Sequence, residues 1–343
     1  MRSTANYPLQ FATHRPRPIL ETFHVTGHDW PMTIAPHPDP ESTRPIRARR
    51  SVLYVPAGHQ RAMAKSRALE SDAVIFDLED SVAPTEKNAA REELRSFLAE
   101  PLAEGRETIV RINALSTPWG HEDLLAARAV RPDAILVPKV EEPEDISDID
   151  AALDETDAPA TLRLWAMIET PRGVMNAGHI ARAARTPGCR LDCLVLGTND
   201  LVKETNVAPT PGRPQLTAWL MQVLLAARAY GLDVLDGVFN DFRDAESFAA
   251  ECRDGRAMGF DGKTLIHPSQ IAVANDVFSV ESDALREARA IVAAFAKPEN
   301  AGVGVLSLDG RMVERLHAQS AAKLIEKARR ESRTSGHKPD DEL

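Results

Sequence analysis

Ala73-Val74-Ile75-Phe76-Asp77-Leu78-Glu79-Asp80 is an apolar run that ends in three carboxylates within four residues. Short runs of the same kind recur along the chain. The candidate strands are Ser51–Val55, Ala73–Leu78, Thr108–Ile112, Ala134–Val137, Arg163–Ile168, Cys193–Leu196, Asp233–Leu235 and Gly262–Ile266. Longer stretches rich in Ala, Arg, Leu and Glu separate them, which is the pattern of repeated βα units. The strands lie about 20–35 residues apart, enough for one crossover helix each, and eight such units predict a closed (β/α)8 TIM barrel of about 250 residues. The rival is an open doubly wound sheet, which carries a Gly-rich phosphate turn after its first strand. Here that strand is followed by Pro56-Ala57-Gly58-His59, with no G-x-G-x-x-G.

The chain has 343 residues, 43% hydrophobic and 27% charged, room for one large domain with appendages or for two domains. We place the barrel at 46–282. Before it, 1–45 holds 8 of the 24 prolines and 4 of the 10 histidines without helical or strand periodicity, and reads as an extended arm. After it, 283–331 reads as a C-terminal helical lid. Leu285, Ala288, Val292 and Phe295 give one helical stripe, Lys297-Pro298 stops it, and a second helix is expected from about Val313 to Arg330. Residues 332–343 form a polar tail. The lid is too short for its own core, so it should pack on the barrel or on a neighbouring subunit.

Lys and Arg number 41 against 51 Asp and Glu, a formal charge of -10, which argues against nucleic acid or an anionic membrane as partner. Three cysteines make neither a disulfide framework nor a zinc pattern, and a reducing cytoplasm is the expected location. No run of 18 apolar residues predicts a membrane span, and the start lacks the charged and apolar regions of a signal peptide.

In such a barrel the C-terminal strand ends form the active face. Strand two ends in Asp77 and Glu79, strand three carries Arg111 and Asn113, and strand four ends in Lys139. Strand five ends in Glu169, strand six in Asn199-Asp200, and strand eight runs into His267-Pro268. Glu169 and Asp200 end consecutive strands, and two carboxylates without a cysteine suit Mg²⁺ or Mn²⁺, which prefer oxygen ligands. Asp77 and Glu79 share one strand face; either they orient the ligands and waters of such a cation, or they pair with Arg111 and Lys139. Arg111 offers a planar fork for a substrate carboxylate, unless Asp77 or Glu79 takes it. His267 is open between a place beside an anion and a turn residue.

Several runs occur in a telling order: Arg50-Ser51-Val52-Leu53-Tyr54-Val55-Pro56, Phe76-Asp77-Leu78-Glu79-Asp80 with Lys87 and Arg91 behind it, and Val110-Arg111-Ile112-Asn113. Val137-Pro138-Lys139-Val140, Ile168-Glu169-Thr170, Gly197-Thr198-Asn199-Asp200-Leu201 and Ile266-His267-Pro268 follow. Together they resemble the citrate lyase beta subunit-like branch of the HpcH/HpaI aldolase superfamily, malyl-CoA and citramalyl-CoA lyases included. The resemblance implies a Mg²⁺-dependent barrel that makes or breaks a carbon–carbon bond next to a CoA thioester, giving a 2-oxo acid and an acyl-CoA, in some members followed by thioester hydrolysis. It implies Glu169 and Asp200 as metal ligands and Arg111 as the carboxylate clamp. It also implies Arg50, Lys65 and His267 as CoA contacts, and a trimer or hexamer whose lid closes over a neighbour's mouth. Two alternatives stay open: an aldolase on free 2-oxo-3-deoxy acids, and a carrier-dependent citrate lyase beta-type subunit.

One position departs from the resembled pattern. Lidded members carry Gly, a basic or small residue, Met, an aliphatic residue and then Asp, the proton-transferring acid, whereas this chain has Gly310-Arg311-Met312-Val313-Glu314. Glutamate moves the carboxyl outward by about 1.5 Å when extended. Glu314 is therefore the candidate acid/base, with helix capping as its alternative reading and Asp309 as a second candidate.

Overall fold

The computed structural model describes residues 44–308 and 310–334. The predicted arm (apart from Arg44 and Pro45), Asp309 and the tail from residue 335 lie outside these residues. Strands and helices alternate in the order β1 (Ser51–Pro56), α1 (Gln60–Ser66), β2 (Ala73–Asp77), α2 (Lys87–Leu98), β3 (Glu107–Arg111), α3 (Gly120–Ala129), β4 (Ala134–Val137) and α4 (Pro143–Glu155). Then come β5 (Arg163–Ile168), α5 (Pro171–Ala183), β6 (Leu191–Leu196), α6 (Thr198–Thr205), α7 (Thr217–Ala229), β7 (Asp233–Asp236), α8 (Ala245–Met258), β8 (Gly262–Leu265) and α9 (Ile271–Phe278). All eight strands pair in parallel with their sequence neighbours, and β1 pairs with β8 to close the ring. The chain is thus a TIM barrel, and no described helix is long and apolar enough to cross a membrane.

The alternation of side chains along each strand divides the core in two. Leu53, Val55, Val74, Phe76 and Val110 face outward and pack beneath the helices. Val52, Ile75, Ile109, Leu136, Trp165, Met167, Cys193, Val195 and Leu235 face inward and fill the ring. Trp165 is fully buried at its centre. The floor, at the strand starts, is closed by Arg49, whose guanidinium meets Glu107 at 2.7 Å, Asp192 at 2.5 Å and Asp233 at 2.8 Å, and lies 4.7 Å from the Trp165 ring. Counting up by two from the inward residues reaches Tyr54, Asp77, Arg111 and Glu169. The mouth chemistry is the top layer of the barrel interior.

After the barrel come α10 (Ser282–Ala296), an antiparallel hairpin of β9 (Val305–Leu308) and β10 (Arg311–Glu314), and α11 (Arg315–Thr334). The expected second helix therefore starts two residues late. Val313 and Glu314 belong to β10, because the alternation on either side of Asp309-Gly310 follows a period of two. The helix also runs past Glu331, into what was read as tail. It lies across the floor: Lys327 meets Asp261 at 3.5 Å before β8, and Thr334 meets Asp72 at 2.7 Å before β2.

Candidate active site

Glu169 directly follows β5 and is 2% exposed. Its Oε1 accepts a hydrogen bond from the backbone N–H of Lys139 at 2.8 Å, a donor aimed by the left-handed backbone of Lys139 (φ 51°). A Cβ at Gly197 would stand 2.3 Å from Glu169 Cβ and 2.7 Å from its Oε2, so only glycine leaves the carboxylate room. Burial first, then the charge of Glu79, pushes the Glu169 carboxyl up to about 8. Asp200 sits in the first turn of α6, and both acids line one cavity of about 380 Å³ at the mouth, together with Tyr54, Asp77, Arg111 and Met167.

Arg111 and Asp77 occupy paired positions on β3 and β2. Nε and Nη2 of Arg111 donate to the two oxygens of Asp77 at 2.7 and 2.6 Å. Burial alone would raise the Asp77 carboxyl; Arg111 outweighs it and holds the group below its ordinary range. The alternative weighed from the sequence, an ion pair with Asp77, is thus what the structure contains, and it takes one edge of the fork. The other edge, at Nη1, lies 3.1 Å from Glu79 Oε2 and 3.8 Å from Met167 Sδ. Glu79 also meets Lys139 Nζ at 3.0 Å, yet its buried Oε2 receives no hydrogen bond, and burial raises its carboxyl. Lys87, on α2, donates to the carbonyls of Leu78 and Glu79 at 2.8 Å and to Asn113 at 3.0 Å. It holds the acid loop in place, which accounts for its position behind that motif.

This donor set fits a hard cation. Glu169 and Asp200 line one cavity with Asp77 and Asp80, and Glu79, buried beside Arg111, is like Glu169 a weaker acid than an ordinary carboxyl. Among the described residues no cage of three or more His, Cys, Asp or Glu forms. The pair Glu169 and Asp200 suits magnesium, which commonly keeps several waters beside one or two carboxylates.

The expected CoA contacts fall in three places. Lys65 projects from α1 into a groove of about 490 Å³ that it lines with His59 and Arg61, and that shares Tyr54, Pro56 and Ile266 with the mouth cavity. His267 caps the turn at Pro268–Gln270, accepting from Ser269 N–H at 3.2 Å, and stacks on Phe242 with ring centres 4.3 Å apart. Its geometry is that of the turn residue. Arg50 does not reach the mouth. It precedes β1, so it lies at the floor, 4% exposed and locked to Asp72, and the reading of it as a CoA contact is corrected.

Glu314 is exposed at the junction of β10 and α11 and does not line the mouth cavity of its own barrel; α11 meets the floor, on the opposite face. Its backbone N–H donates to His317 Nδ1 at 2.9 Å. Sequence reasoning missed Tyr54 as a mouth residue. Its ring lies 5.0 Å from the Arg111 guanidinium, and its hydroxyl is 3.8 Å from Met167 Sδ. Its place two residues above inward-facing Val52 was the available signal.

The profile of the HpcH/HpaI aldolase/citrate lyase family matches residues 50–268. A (3S)-malyl-CoA thioesterase of Cereibacter sphaeroides is 46% identical over 279 residues, 81% of this chain and 94% of that protein. The citrate lyase subunit beta of Escherichia coli is 35% identical over 79% of this chain and 90% of its own length. The mitochondrial citramalyl-CoA lyase of Homo sapiens is 31% identical over 78% and 81%. Among solved structures, the protein CitE of Mycobacterium tuberculosis in complex with magnesium, acetoacetate and coenzyme A superposes with a TM-score of 0.60 at 31% identity, covering 81% of this chain and 97% of that one. With the closed barrel and the acids, arginine and lysines at its mouth, these likenesses establish that the chain belongs to the HpcH/HpaI aldolase/citrate lyase family, as an enzyme of carbon–carbon lyase type.

Proposed function

We propose that this chain is a Mg²⁺-dependent lyase that cleaves or forms a 2-hydroxyacyl-type CoA thioester, of malyl-, methylmalyl- or citramalyl-CoA kind, to a 2-oxo acid and an acyl-CoA. The observation that carries the reading is the buried Glu169 carboxyl, pushed up to about 8 in one cavity with Asp200 and Arg111. Glu169 and Asp200 are the residues that would hold the metal. When bound, it supplies Lewis acidity toward the hydroxyl and carboxylate oxygens of a 2-hydroxy acid. Asp77 fixes the Arg111 plane, and the Nη1 edge takes the substrate carboxylate. The groove of His59, Arg61 and Lys65 receives the anionic CoA end. Cleavage leaves a thioester enolate whose α-carbon must gain a proton, and a carboxyl at the mouth has to carry it. We assign that task to Glu314 of a neighbouring copy in a homo-oligomer, since α11, which it precedes, is seated on the floor of its own barrel.

A second outcome at the same site is hydrolysis of the thioester, favoured by the 46% identity with the malyl-CoA thioesterase. The test is a panel of 2-oxo acids with acetyl- and propionyl-CoA in the presence of Mg²⁺, followed by chromatography of the thioesters and a thiol assay for free CoA. A new 2-hydroxyacyl-CoA supports the lyase, and release of thiol as it forms adds hydrolysis. No CoA binding, with turnover of free 2-oxo-3-deoxy acids, would replace the reading with the aldolase; activity only on a carrier-bound thioester would replace it with the citrate lyase beta-type subunit.

A further inference from the structure

We propose that Arg50 is a positioning residue of the lid: it fixes the floor end of α11, so that Glu314 at the other end is held at a constant place for a neighbouring mouth. The inference rests on the reading of Glu314 as the proton carrier. Arg50 uses Nε and Nη2 on the two oxygens of Asp72, both at 2.8 Å, which ties it to the start of β2. The rest of its guanidinium faces the C-terminal segment. Nη1 donates to Ser279 Oγ at 3.1 Å, and Nη2 reaches Thr334 Oγ1 at 3.2 Å and the Glu331 carbonyl at 3.4 Å.

Thr334 closes the loop by donating to Asp72 Oδ1 at 2.7 Å, and Glu331 Oε2 accepts from the backbone N–H of Val280 at 3.0 Å. Arg50, Asp72 and Glu331 are 4%, 0% and 6% exposed, so this is a buried joint. Its chemistry suits a helix end. The carbonyls of the last turn lack partners within the helix, and a cation there also opposes the negative end of the helix dipole.

What the joint controls follows from leverage. α11 has 20 residues and is about 30 Å long. A tilt of about 2° at the floor moves its far end by about 1 Å, and a misplacement of that size can cost about a hundredfold in rate. Glu314 directly precedes that far end. Barrel stability and catalysis are separable here, because Thr334 belongs only to the lid side of the joint, while the Arg50–Asp72 pair lies within the barrel.

The test compares full-length Arg50→Lys and Thr334→Val with wild type and Glu314→Gln, each with Mg²⁺. The readouts are kcat, KM, CoA affinity by calorimetry, and exchange of the acetyl-CoA α-proton with solvent. Thr334→Val keeps the shape of the residue and the barrel pair, so it serves if Arg50→Lys fails to fold. We expect kcat and exchange to fall about tenfold or more in Arg50→Lys and about threefold in Thr334→Val, with KM and CoA affinity unchanged. Wild-type kcat in folded Arg50→Lys and Thr334→Val, with Glu314→Gln inactive, overturns the joint alone. Weakened CoA binding in Arg50→Lys without loss in Thr334→Val also overturns it. Wild-type exchange in Glu314→Gln overturns the underlying assignment of the acid.

Discussion

Arg111 spends half of its guanidinium on Asp77, through two parallel hydrogen bonds of 2.7 and 2.6 Å, and turns the remaining edge, at Nη1, toward Glu79 Oε2 at 3.1 Å. In the proposed clamp a carboxylate from β2 sets the plane, and the Nη1 edge would exchange Glu79 for the substrate carboxylate. Neither half works if the fork is lost.

Arg111→Lys should therefore lower kcat/KM for the 2-oxo acid by about a hundredfold while CoA binding is kept, since lysine retains the charge and loses the planar fork. Arg111→Ala should also destabilise the fold, by about 3–5 kcal/mol, because Asp77 is left buried without its counter-charge. Steady-state kinetics and urea unfolding check the two; unchanged kinetics in Arg111→Lys would remove the clamp role.

Metal binding should depend on both mouth acids. Calorimetric titration with Mg²⁺ or Mn²⁺ is expected to show at least tenfold weaker binding in Glu169→Gln and in Asp200→Asn than in wild type. Wild-type affinity in both variants would dismiss the site.

Without metal, Glu169 should make the protein sensitive to alkaline pH. Its carboxyl is raised from 4.5 to about 8 on folding, so the folded state holds a proton that the unfolded chain releases. Its contribution is fully present below about 4.5 and is lost as the pH rises through about 8. In a chelator, Glu169→Gln should melt several degrees above wild type at pH 8.5 and much closer to it at pH 5.5, as thermal scans will show. Added Mg²⁺ should reverse the order.

Gly197→Ala should weaken metal binding together with stability, at a cost of about 1–3 kcal/mol, since the new methyl and the Glu169 side chain claim the same space. Gly178→Ala is the control: a Cβ there meets nothing within 4 Å, and a helical glycine gains about 0.5–1 kcal/mol on becoming alanine. Equal melting temperatures for the two variants would count against the packing argument.

Glu314→Gln should abolish exchange of the acyl-CoA α-proton while leaving CoA and Mg²⁺ binding intact. Exchange at the wild-type rate, measured by proton NMR in deuterium oxide, would exclude this carboxyl and turn attention to Asp309.

The barrel was legible because each strand signals itself locally, and the misplaced edges have local causes. β6 begins at Leu191 rather than Cys193 because Asp192 interrupts the apolar run. That charge is neutralised by Arg49, 143 residues away, a partner that no local window contains. Glu107 hides the start of β3 in the same way. The hairpin had its signal in Asp309-Gly310, but Val313 also fitted helical spacing. Glu169 and Asp200 were readable as strand-end acids, whereas the Arg111–Asp77 geometry depends on the register of β2 against β3. Arg50 was misread by end: a residue that precedes a parallel strand belongs to the floor.

The joint under the barrel also bears on the order of assembly. Its members flank β1 and β2 at one end of the barrel sequence and follow β8 and α9 at the other, and β1 meets β8 only when the ring closes. During synthesis the first strand must wait for more than two hundred residues before its second neighbour exists. α11 emerges after that, and the residues it meets lie on both sides of the seam: Arg50 and Asp72 before β1 and β2, and Asp261 before β8. The final described helix thus bridges the first strands and the last, and a chain whose ring has not closed offers only part of the seat for the segment that carries Glu314.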